Sequence, residues 1–136
     1  MNKLVLTALG VMAISACNTN PFLTEWTGAD AFPPFDKIKT SDFVPAVKAG
    51  IEQQEAEVNA IVTNEAAPTF ENTIAAYELS GEILAKTLGV LYNVSESDAT
   101  PEMQAVMDEV TPLLTASSDN IFMNKAFFER VKAVYD

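Results

Sequence analysis

The 136-residue sequence contains no histidine and a single cysteine, Cys17. Histidine-based zinc sites, Cys–His pairs and Ser–His–Asp triads therefore cannot be built from this chain, and neither can an internal disulfide. The glycine-rich phosphate-binding motifs of nucleotide-binding proteins are also missing. Carboxylates and tyrosines are what remains for catalysis, and the sequence shows no constellation of them.

Basic residues are scarce as well, since 8 lysines and arginines stand against 19 aspartates and glutamates. Without residues 1–16, seven basic residues remain against the same 19 acidic ones, a net charge of −12. Such a chain repels nucleic acid and anionic lipid headgroups, so we expect neither as a partner. We interpret the charge as a solvated surface, and the carboxylates at 52–57 as the polar side of a helix.

Residues 1–16 have the composition of an export signal. A basic start at Lys3 precedes an apolar run from Leu4 to Ile14, and small residues follow. The run is shorter than the roughly 20 apolar residues that a transmembrane helix needs. The segment ISAC at 14–17 resembles the bacterial lipobox, in which the cysteine carries the lipid and begins the mature chain. We therefore predict a lipoprotein-type signal peptide at 1–16 and lipidation of Cys17.

Two alternatives for Cys17 stay open: an ordinary signal peptide cut before it, which leaves a free thiol, and a buried structural cysteine. A lipid anchor implies export and attachment to the membrane on the periplasmic side of the bacterial cell envelope. Asn18, rather than an acidic residue, follows the cysteine. By resemblance to lipoprotein sorting signals, this favours the outer membrane over the inner one.

Residues 17–40 are predicted to form the anchor, a spacer and an irregular arm. Pro21, Pro33 and Pro34 interrupt the segment, and it has neither a helical nor an alternating apolar period. It is nevertheless too apolar for a flexible tether, so its large side chains should hold the arm against the folded body. These side chains are Phe22, Leu23, Trp26, Phe32, Phe35 and Ile38.

From 41 to 136 every clear period is helical, and no hairpin dipeptide or alternating strand appears. Helix starts are predicted at Thr40-Ser41, Thr69, Thr100-Pro101 and Asn124, the third with a kink at Pro112. The predicted apolar face of the last helix consists of Phe127, Phe128, Val131, Val134 and Tyr135. The predicted fold class is all-α: about four antiparallel helices joined by short loops, preceded by an irregular arm.

The second predicted helix has the most regular apolar stripe. The small residues Gly81, Ala85 and Gly89 should allow another helix to approach closely. Tyr77 and Tyr92 could reach a ligand with their hydroxyls, but core positions are expected. The stripe itself consists of Phe70, Ile74, Tyr77, Gly81, Leu84, Leu88 and Leu91.

Three stretches resemble the N-terminal region of the thimet-oligopeptidase-like zinc peptidases: PPFDKIKTSDFVPAVKAGIEQQEAEVNAIVTN, PTFENTIAAYELSG and SDNIFMNKAFFERVKAVYD. The most specific piece is PTFENTI at 68–74. Within the family the resemblance is closest to the bacterial peptidyl-dipeptidases, also called dipeptidyl carboxypeptidases. It covers residues 20–136 in unchanged order.

The resemblance implies that 41–136 is the helical N-terminal domain of a larger, mostly helical peptidase, truncated at its C-terminal end. The HExxH helix and later glutamate that hold zinc would lie downstream. The complete enzyme would hydrolyse oligopeptides with zinc-activated water and release C-terminal dipeptides. No catalytic or metal role carries over to this chain, which should bind no cofactor and be inactive alone.

A stand-alone helical lipoprotein that binds a peptide or another protein without catalysis is the alternative. Under the peptidase interpretation, the apolar helix faces lack their partners in the isolated chain. We then expect the isolated chain to expose apolar surface and to self-associate.

Overall fold

The computed structural model describes residues 19–27 and 31–136, so the predicted signal peptide and Cys17 lie outside the described residues. Within the described residues the fold is all-α, as predicted, with four helices of about three turns or more. Short helical segments stand between and before them. In chain order the elements are a 3₁₀ turn Pro21–Leu23, α1 Thr40–Val62, a π-helical segment Phe70–Ala75 that continues into the single turn α2 Ala76–Glu78, α3 Glu82–Ser97, α4 Pro101–Phe122 and α5 Lys125–Tyr135.

Three of the predicted helix starts are confirmed by their side-chain caps. Oγ1 of Thr69, Oγ1 of Thr100 and Oδ1 of Asn124 each accept a hydrogen bond from the backbone N–H three residues further on, at 3.2, 3.2 and 3.1 Å. These bonds satisfy N–H groups that have no carbonyl partner in the first helical turn.

The start of α1 differs from the prediction by one residue. Thr40 is the first helical residue rather than the cap, and the cap position belongs to Lys39. The Asp42 carboxylate accepts the Lys39 backbone N–H at 2.8 Å. Local sequence favours a hydroxyl cap here, which would accept the N–H of the third helical residue; the Asp42 carboxylate instead accepts the N–H of the cap residue, the other bond of a capping box.

Helix α1 is the central element, and α3 packs along it in the antiparallel sense. Gly50 of α1 lies against Leu84 of α3, whereas Glu57, two turns further along α1, lies against Gly81. Sequence numbers therefore rise along one helix as they fall along the other, as predicted for neighbours in an antiparallel array.

Helix α4 packs on α1 in the parallel sense, and antiparallel to α3. Lys48 of α1 pairs with Glu109 of α4 at 2.9 Å, and Asn120 donates to the Glu55 carboxylate at 3.4 Å. Both contacts are largely exposed, so each contributes well under about 1 kcal/mol. Helix α4 continues through Pro112 without a break; the kink predicted there stays a prediction.

The buried apolar residues form two clusters at opposite ends of α1. One lies between the arm, the first half of α1, α3 and α4. The other lies between the second half of α1, α2, the end of α4 and α5. The first consists of Phe22, Phe43, Ala46, Val47, Leu84, Val90, Leu91, Met103, Val106 and Val110. The second consists of Val58, Ile61, Ile121 and Phe127.

The prediction of one continuous helix through 70–91 is wrong. The chain turns at Gly81, which has φ +72°, in the left-handed region that glycine tolerates best. Tyr77 packs on the second cluster, whereas Leu84 and Leu91 belong to the first. The regular stripe therefore serves two separate cores, and Phe70 at its start is 60% exposed.

The turn at Gly81 is held by polar side chains of α1. The Gly81 backbone N–H donates to Oε2 of Glu57 at 2.7 Å, and the Ile83 N–H donates to Oε1 of Gln53 at 3.2 Å. A carboxylate at the N-terminus of a helix is also favoured by the helix dipole. The interpretation of the 52–57 carboxylates as purely solvated is therefore wrong for Glu57.

We expect Glu57→Ala to lower the free energy of unfolding by about 1–2 kcal/mol, because the Gly81 N–H loses its acceptor. Urea unfolding followed by circular dichroism measures this. Glu52→Ala is the matched control, since this carboxylate is exposed on the same helix and should change stability by less than about 0.5 kcal/mol. Equal effects of the two substitutions would show that the bond at Gly81 contributes nothing.

Of the close helix contacts predicted at Gly81, Ala85 and Gly89, the one at Gly81 is confirmed, since a Cβ there would lie 2.9 Å from Nε2 of Gln54 on α1. A still closer approach involves a glycine of α1 itself. At Gly50 a Cβ would lie 2.7 Å from the Leu84 backbone nitrogen, so α1 and α3 touch through this glycine. Gly89 has nothing within 4 Å of the same position, and Ala85 is exposed. Gly81 lies before α3 rather than inside a helix.

The arm is held to the first cluster by Phe22, which is completely buried. Its ring centroid lies 5.2 Å from that of Phe43 and 6.1 Å from that of Trp26. Nδ2 of Asn20 donates to the Asp42 carbonyl at 2.7 Å, which ties the arm to the first turn of α1. The prediction that aromatic residues hold the arm against the folded body is confirmed at this point.

A second attachment of the arm involves α3. Nζ of Lys86 donates to the Thr24 carbonyl at 3.1 Å and lies 5.4 Å from the centroid of the Trp26 ring, a cation–π contact. The anchoring role predicted for Leu23, Phe32 and Phe35 is wrong, because these three side chains are exposed. The arm is thus fixed near its start and leaves its later aromatic residues in solvent.

Helix α5 closes the second cluster with Phe127. The Arg130 guanidinium reaches back to the α1–α2 connection, where it donates to the carbonyls of Asn64 at 2.7 Å and Ala66 at 3.4 Å. Phe128 and Tyr135, which were predicted on the apolar face of this helix, are exposed instead.

Candidate functional site

An open groove lies between α3 and α4, with α1 and α2 at its floor and end. Its volume is about 250 Å³. The backbones of α3 and α4 each lie close to α1 but approach one another at few positions, although side chains of both helices lie in the first cluster. The groove is lined by Gln54, Tyr77, Leu84, Leu88, Tyr92, Leu114, Ser117, Ser118, Ile121 and Phe122.

The floor of the groove is apolar with polar groups set into it. Leu84 and Ile121 are buried there, and Gln54 lies half-buried on α1. Ser117 is 4% exposed, and its hydroxyl has no hydrogen-bond partner among the described residues. Because a buried hydroxyl without a partner is unfavourable by roughly 1–3 kcal/mol, Ser117 is expected to lower the stability of the fold at this position.

Two aromatic side chains form the rim. Phe122, in the last turn of α4, is 65% exposed, and Tyr92 on α3 is 44% exposed. The prediction that Tyr92 occupies a core position is therefore wrong. Leu88 and Leu114 lie between them, half-buried. Together these side chains present an apolar surface to solvent.

Tyr77 closes one end of the groove and is half-buried, as expected for a tyrosine on an apolar stripe. Its ring meets Phe122 edge-on, with 6.1 Å between centroids, and lies 5.1 Å from that of Phe127. Burial of the phenol, together with the neighbouring Glu78 carboxylate, raises the pKa of Tyr77 above its ordinary value of 10.0. The folded chain thus favours the neutral phenol.

The raised pKa of Tyr77 predicts a loss of stability at alkaline pH. The contribution of Tyr77 to the unfolding free energy is complete at pH values below the tyrosine pKa of the unfolded chain. It is lost as the pH rises through the higher pKa of the folded chain, because the phenol ionises more readily in the unfolded state. Tyr77→Phe should therefore reduce the loss of unfolding free energy between about pH 9 and pH 11. Tyr135→Phe is the control, since that side chain is 91% exposed. If the unfolding free energy of the two variants fell equally over this pH range, the raised pKa of Tyr77 would be contradicted.

The groove can bind apolar surface, but it does not resemble a hydrolytic centre. Its polar groups are hydroxyls and one amide, and none is an acid or base at neutral pH. Among residues 19–27 and 31–136, no three potential ligands from histidine, cysteine, aspartate and glutamate come together to hold a metal ion. Within the same residues, no helix has the length and hydropathy needed to cross a bilayer.

Comparison with known proteins finds relatives among peptidases. The chain is 36% identical over 118 residues to the dipeptidyl carboxypeptidase of Salmonella typhimurium and 34% identical over 116 residues to that of Escherichia coli. Oligopeptidase A of Salmonella typhimurium is 24% identical over 118 residues. These matches cover 85–87% of this chain but 17% of each relative. No family model matches the chain.

The chain is therefore similar to one segment of these peptidases. It is more similar to the two dipeptidyl carboxypeptidases than to oligopeptidase A. The resemblance predicted from PTFENTI and its neighbouring stretches is confirmed. The chain spans about one sixth of the length of these relatives.

Proposed function

We propose that the chain is the N-terminal helical segment of a zinc metallopeptidase that hydrolyses oligopeptides and releases C-terminal dipeptides. The observation that carries this proposal is the homology, at 34–36% identity over most of the chain, to proteins named dipeptidyl carboxypeptidase. The peptidase activity, its dipeptide product and its peptide substrates belong to the complete polypeptide.

The residues of this chain do not fit the zinc ion of such an enzyme. The sequence has no histidine, and the part that the structure describes brings no three metal-ligating side chains together. The metal would therefore be held by other parts of the complete polypeptide, in an HExxH helix and a later glutamate. The part of this chain in the enzyme is structural, through the packed unit of α1, α3 and α4.

The purified 136-residue chain should not hydrolyse peptides. The test is incubation with a peptide that has a free C-terminus, with and without a zinc chelator, followed by mass spectrometry of the products. Cleavage that stops on addition of the chelator would contradict the assignment of zinc to another part of the protein.

We further propose that Cys17 carries a lipid that holds the protein at the periplasmic face of the cell envelope, in the outer membrane in preference to the inner one. The composition of 1–16 and the lipobox-like ISAC support this. Cys17→Ser should move the protein from the membrane pellet to the soluble fraction and abolish labelling by a radioactive fatty acid. Unchanged labelling of the variant would contradict the anchor.

A stand-alone helical lipoprotein that binds a protein or peptide is the second candidate, and the open groove between α3 and α4 favours it. The sequence of the gene distinguishes the two candidates. An open reading frame that continues past Asp136 to an HExxH motif supports the peptidase, and a natural stop codon after Asp136 supports the binding protein.

A further inference from the structure

We propose that the arm is a membrane-contacting surface, which lies on the bilayer that holds the lipid of Cys17 and places the exposed side chains of Phe32 and Phe35 among the lipid headgroups. The partner is a lipid surface with zwitterionic headgroups. This inference rests on the proposed lipid anchor at Cys17, and it does not require that the protein be an active peptidase.

The chain between Cys17 and the folded body is short. Asn20 is fixed to the body, because its Nδ2 donates to the Asp42 carbonyl at 2.7 Å and its Oδ1 accepts the Phe22 backbone N–H at 3.0 Å. The Cα atoms of Cys17 and Asn20 are three residues apart and can be separated by at most about 11 Å. This reach is smaller than the radius of gyration of a 100-residue domain, about 13 Å. A lipid on Cys17 therefore keeps the surface around Asn20 at the bilayer.

The surface at the start of the arm is an open pocket between residues 19–27 and residues 32–42. Its volume is about 410 Å³. Thr19, Trp26 and Phe32 are among the lining residues, so Phe32 lies close to the point where the chain arrives from Cys17. The Phe32 side chain is 76% exposed, although the arm itself is held firmly by the buried Phe22. The tether and an exposed aromatic ring therefore share one edge of the molecule.

Phe35 adds a second exposed ring to this edge, since it follows Pro34, another residue of the pocket lining. Aromatic and other large apolar side chains on a protein surface are stabilised in the interface of a membrane, where one end of the ring is apolar and the other is wet. Such side chains lie about 5–10 Å into the boundary between headgroups and acyl chains. The short tether brings this boundary to Phe32 and Phe35, whatever else the complete polypeptide contains.

The charges around the pocket do not favour anionic lipids. Its lining contains two basic residues, Lys37 and Lys39, and three acidic ones, Glu25, Asp36 and Asp42. The local excess is one negative charge, so attraction to anionic headgroups does not hold the arm on the bilayer. We therefore assign the contact to the burial of apolar surface among zwitterionic headgroups.

The test is site-specific fluorescence in the complete gene product, purified with its lipid and reconstituted into phosphatidylcholine vesicles. Cys17 is the only cysteine of the 136 residues. With its thiol bonded to lipid and any later cysteine replaced by serine, Phe32→Cys introduces a single site for a polarity-sensitive label. Lipids with spin-labelled headgroups should quench this label roughly twofold or more, because side chains in the interface lie about 5–10 Å deep. A label at Phe35→Cys should be quenched to a similar extent.

The matched control is the same label at Phe128→Cys, which should not be quenched. Phe128 is also an exposed phenylalanine, but it lies on α5, at the opposite end of α1 from the arm. Equal quenching at residues 32 and 128, or no quenching at residue 32, would overturn the proposal. A label at residue 32 in apolar surroundings but not quenched by the lipids would also overturn it, because another protein segment would then cover the arm.

Salt distinguishes an apolar contact from an electrostatic one. Quenching at residue 32 should persist at an ionic strength of about 1 M, where charges are screened beyond about 3 Å, and its loss would contradict an apolar contact. Fatty-acid labelling of Cys17 separates the two levels of the argument. Absence of that label would refute the anchor together with this proposal, whereas a lipidated protein with residue 32 in water would refute the membrane contact alone. Neither measurement depends on peptidase activity.

Discussion

Phe22→Ala should lower the free energy of unfolding by about 3–5 kcal/mol, the cost of removing a fully buried phenylalanine. The side chain is completely buried between Phe43 and the arm's own Trp26. Alanine leaves a cavity that the first turn of α1 cannot fill without moving. Release of the arm can limit the loss, but only by exposing Phe43 to water. Against a typical total stability of about 5–15 kcal/mol, the change is large.

Urea unfolding measures this effect, and Trp26 reports where it occurs. Trp26 is the only tryptophan of the sequence, so its fluorescence emission should shift to longer wavelength in the variant even before denaturant is added. The matched control is Phe32→Ala, in the same arm but 76% exposed, with an expected change under about 0.5 kcal/mol. If both variants unfold at the wild-type urea concentration, the arm is not part of the folded core.

Gly50→Ala should destabilise the chain by about 2 kcal/mol or more, although alanine is the better helix former. The added Cβ would lie 2.7 Å from the backbone nitrogen of Leu84 and 2.8 Å from its Cα. Backbone atoms cannot rotate away as a side chain can. Helices α1 and α3 must therefore separate, and the contacts of the first cluster between them are weakened.

Gly89→Ala is the control for Gly50→Ala, because it makes the same change inside a helix. No atom lies within 4 Å of its Cβ position, so the substitution should stabilise the chain by about 0.5–1 kcal/mol. Opposite signs for the two glycines are the expected result from thermal or urea unfolding. Stabilisation by both would show that α1 and α3 are further apart than the structure places them.

The helix starts could be predicted from the sequence because their determinants are local. Thr69, Thr100 and Asn124 bond to backbone groups within three residues, and those offsets can be read from the chain. The all-α fold class followed for a similar reason, since every apolar period was helical. Errors at these ends were small: α1 begins one residue early, and the Asp42 carboxylate accepts the backbone N–H of the cap residue Lys39.

The break at Gly81 could not be predicted in the same way, because residues of another helix hold it. Glu57 and Gln53 are more than 20 positions away in sequence, and only the packing of α1 on α3 brings them to the turn. The apolar stripe continues through the break because Tyr77 and Leu84 both pack on buried apolar residues. That they face different clusters is a property of the assembled fold.

The glycine contact shows the same limit. Three small residues spaced four apart suggested a close approach along α3, yet the helices touch at Gly50 of α1. The spacing of small residues along a helix identifies a face that another helix can approach closely. Which helix approaches it, and at which residue, depends on how α1, α3 and α4 are arranged. The exposed Phe70, Phe128 and Tyr135 lie on predicted apolar faces for the same reason.

The groove was visible in the sequence only as two irregularities. Gln54 and Ser117 are polar residues at positions where the apolar stripes of α1 and α4 call for hydrophobic ones. Both line the floor of the groove. The apolar period of each helix predicts where Gln54 and Ser117 lie on it. The open space between α3 and α4 depends on the distance between the two helices, which the period of a single helix cannot predict.

We propose that this chain is part of a peptidase that releases dipeptides from the C-terminus. The experiment that tests this is incubation of the complete gene product with two peptides of one sequence, one with a free and one with an amidated C-terminus. Mass spectrometry should show loss of successive dipeptides from the free peptide, no loss from the amidated one, and none from either after chelation of zinc. Cleavage that begins at the N-terminus, or no cleavage of the free peptide at all, would contradict the claim.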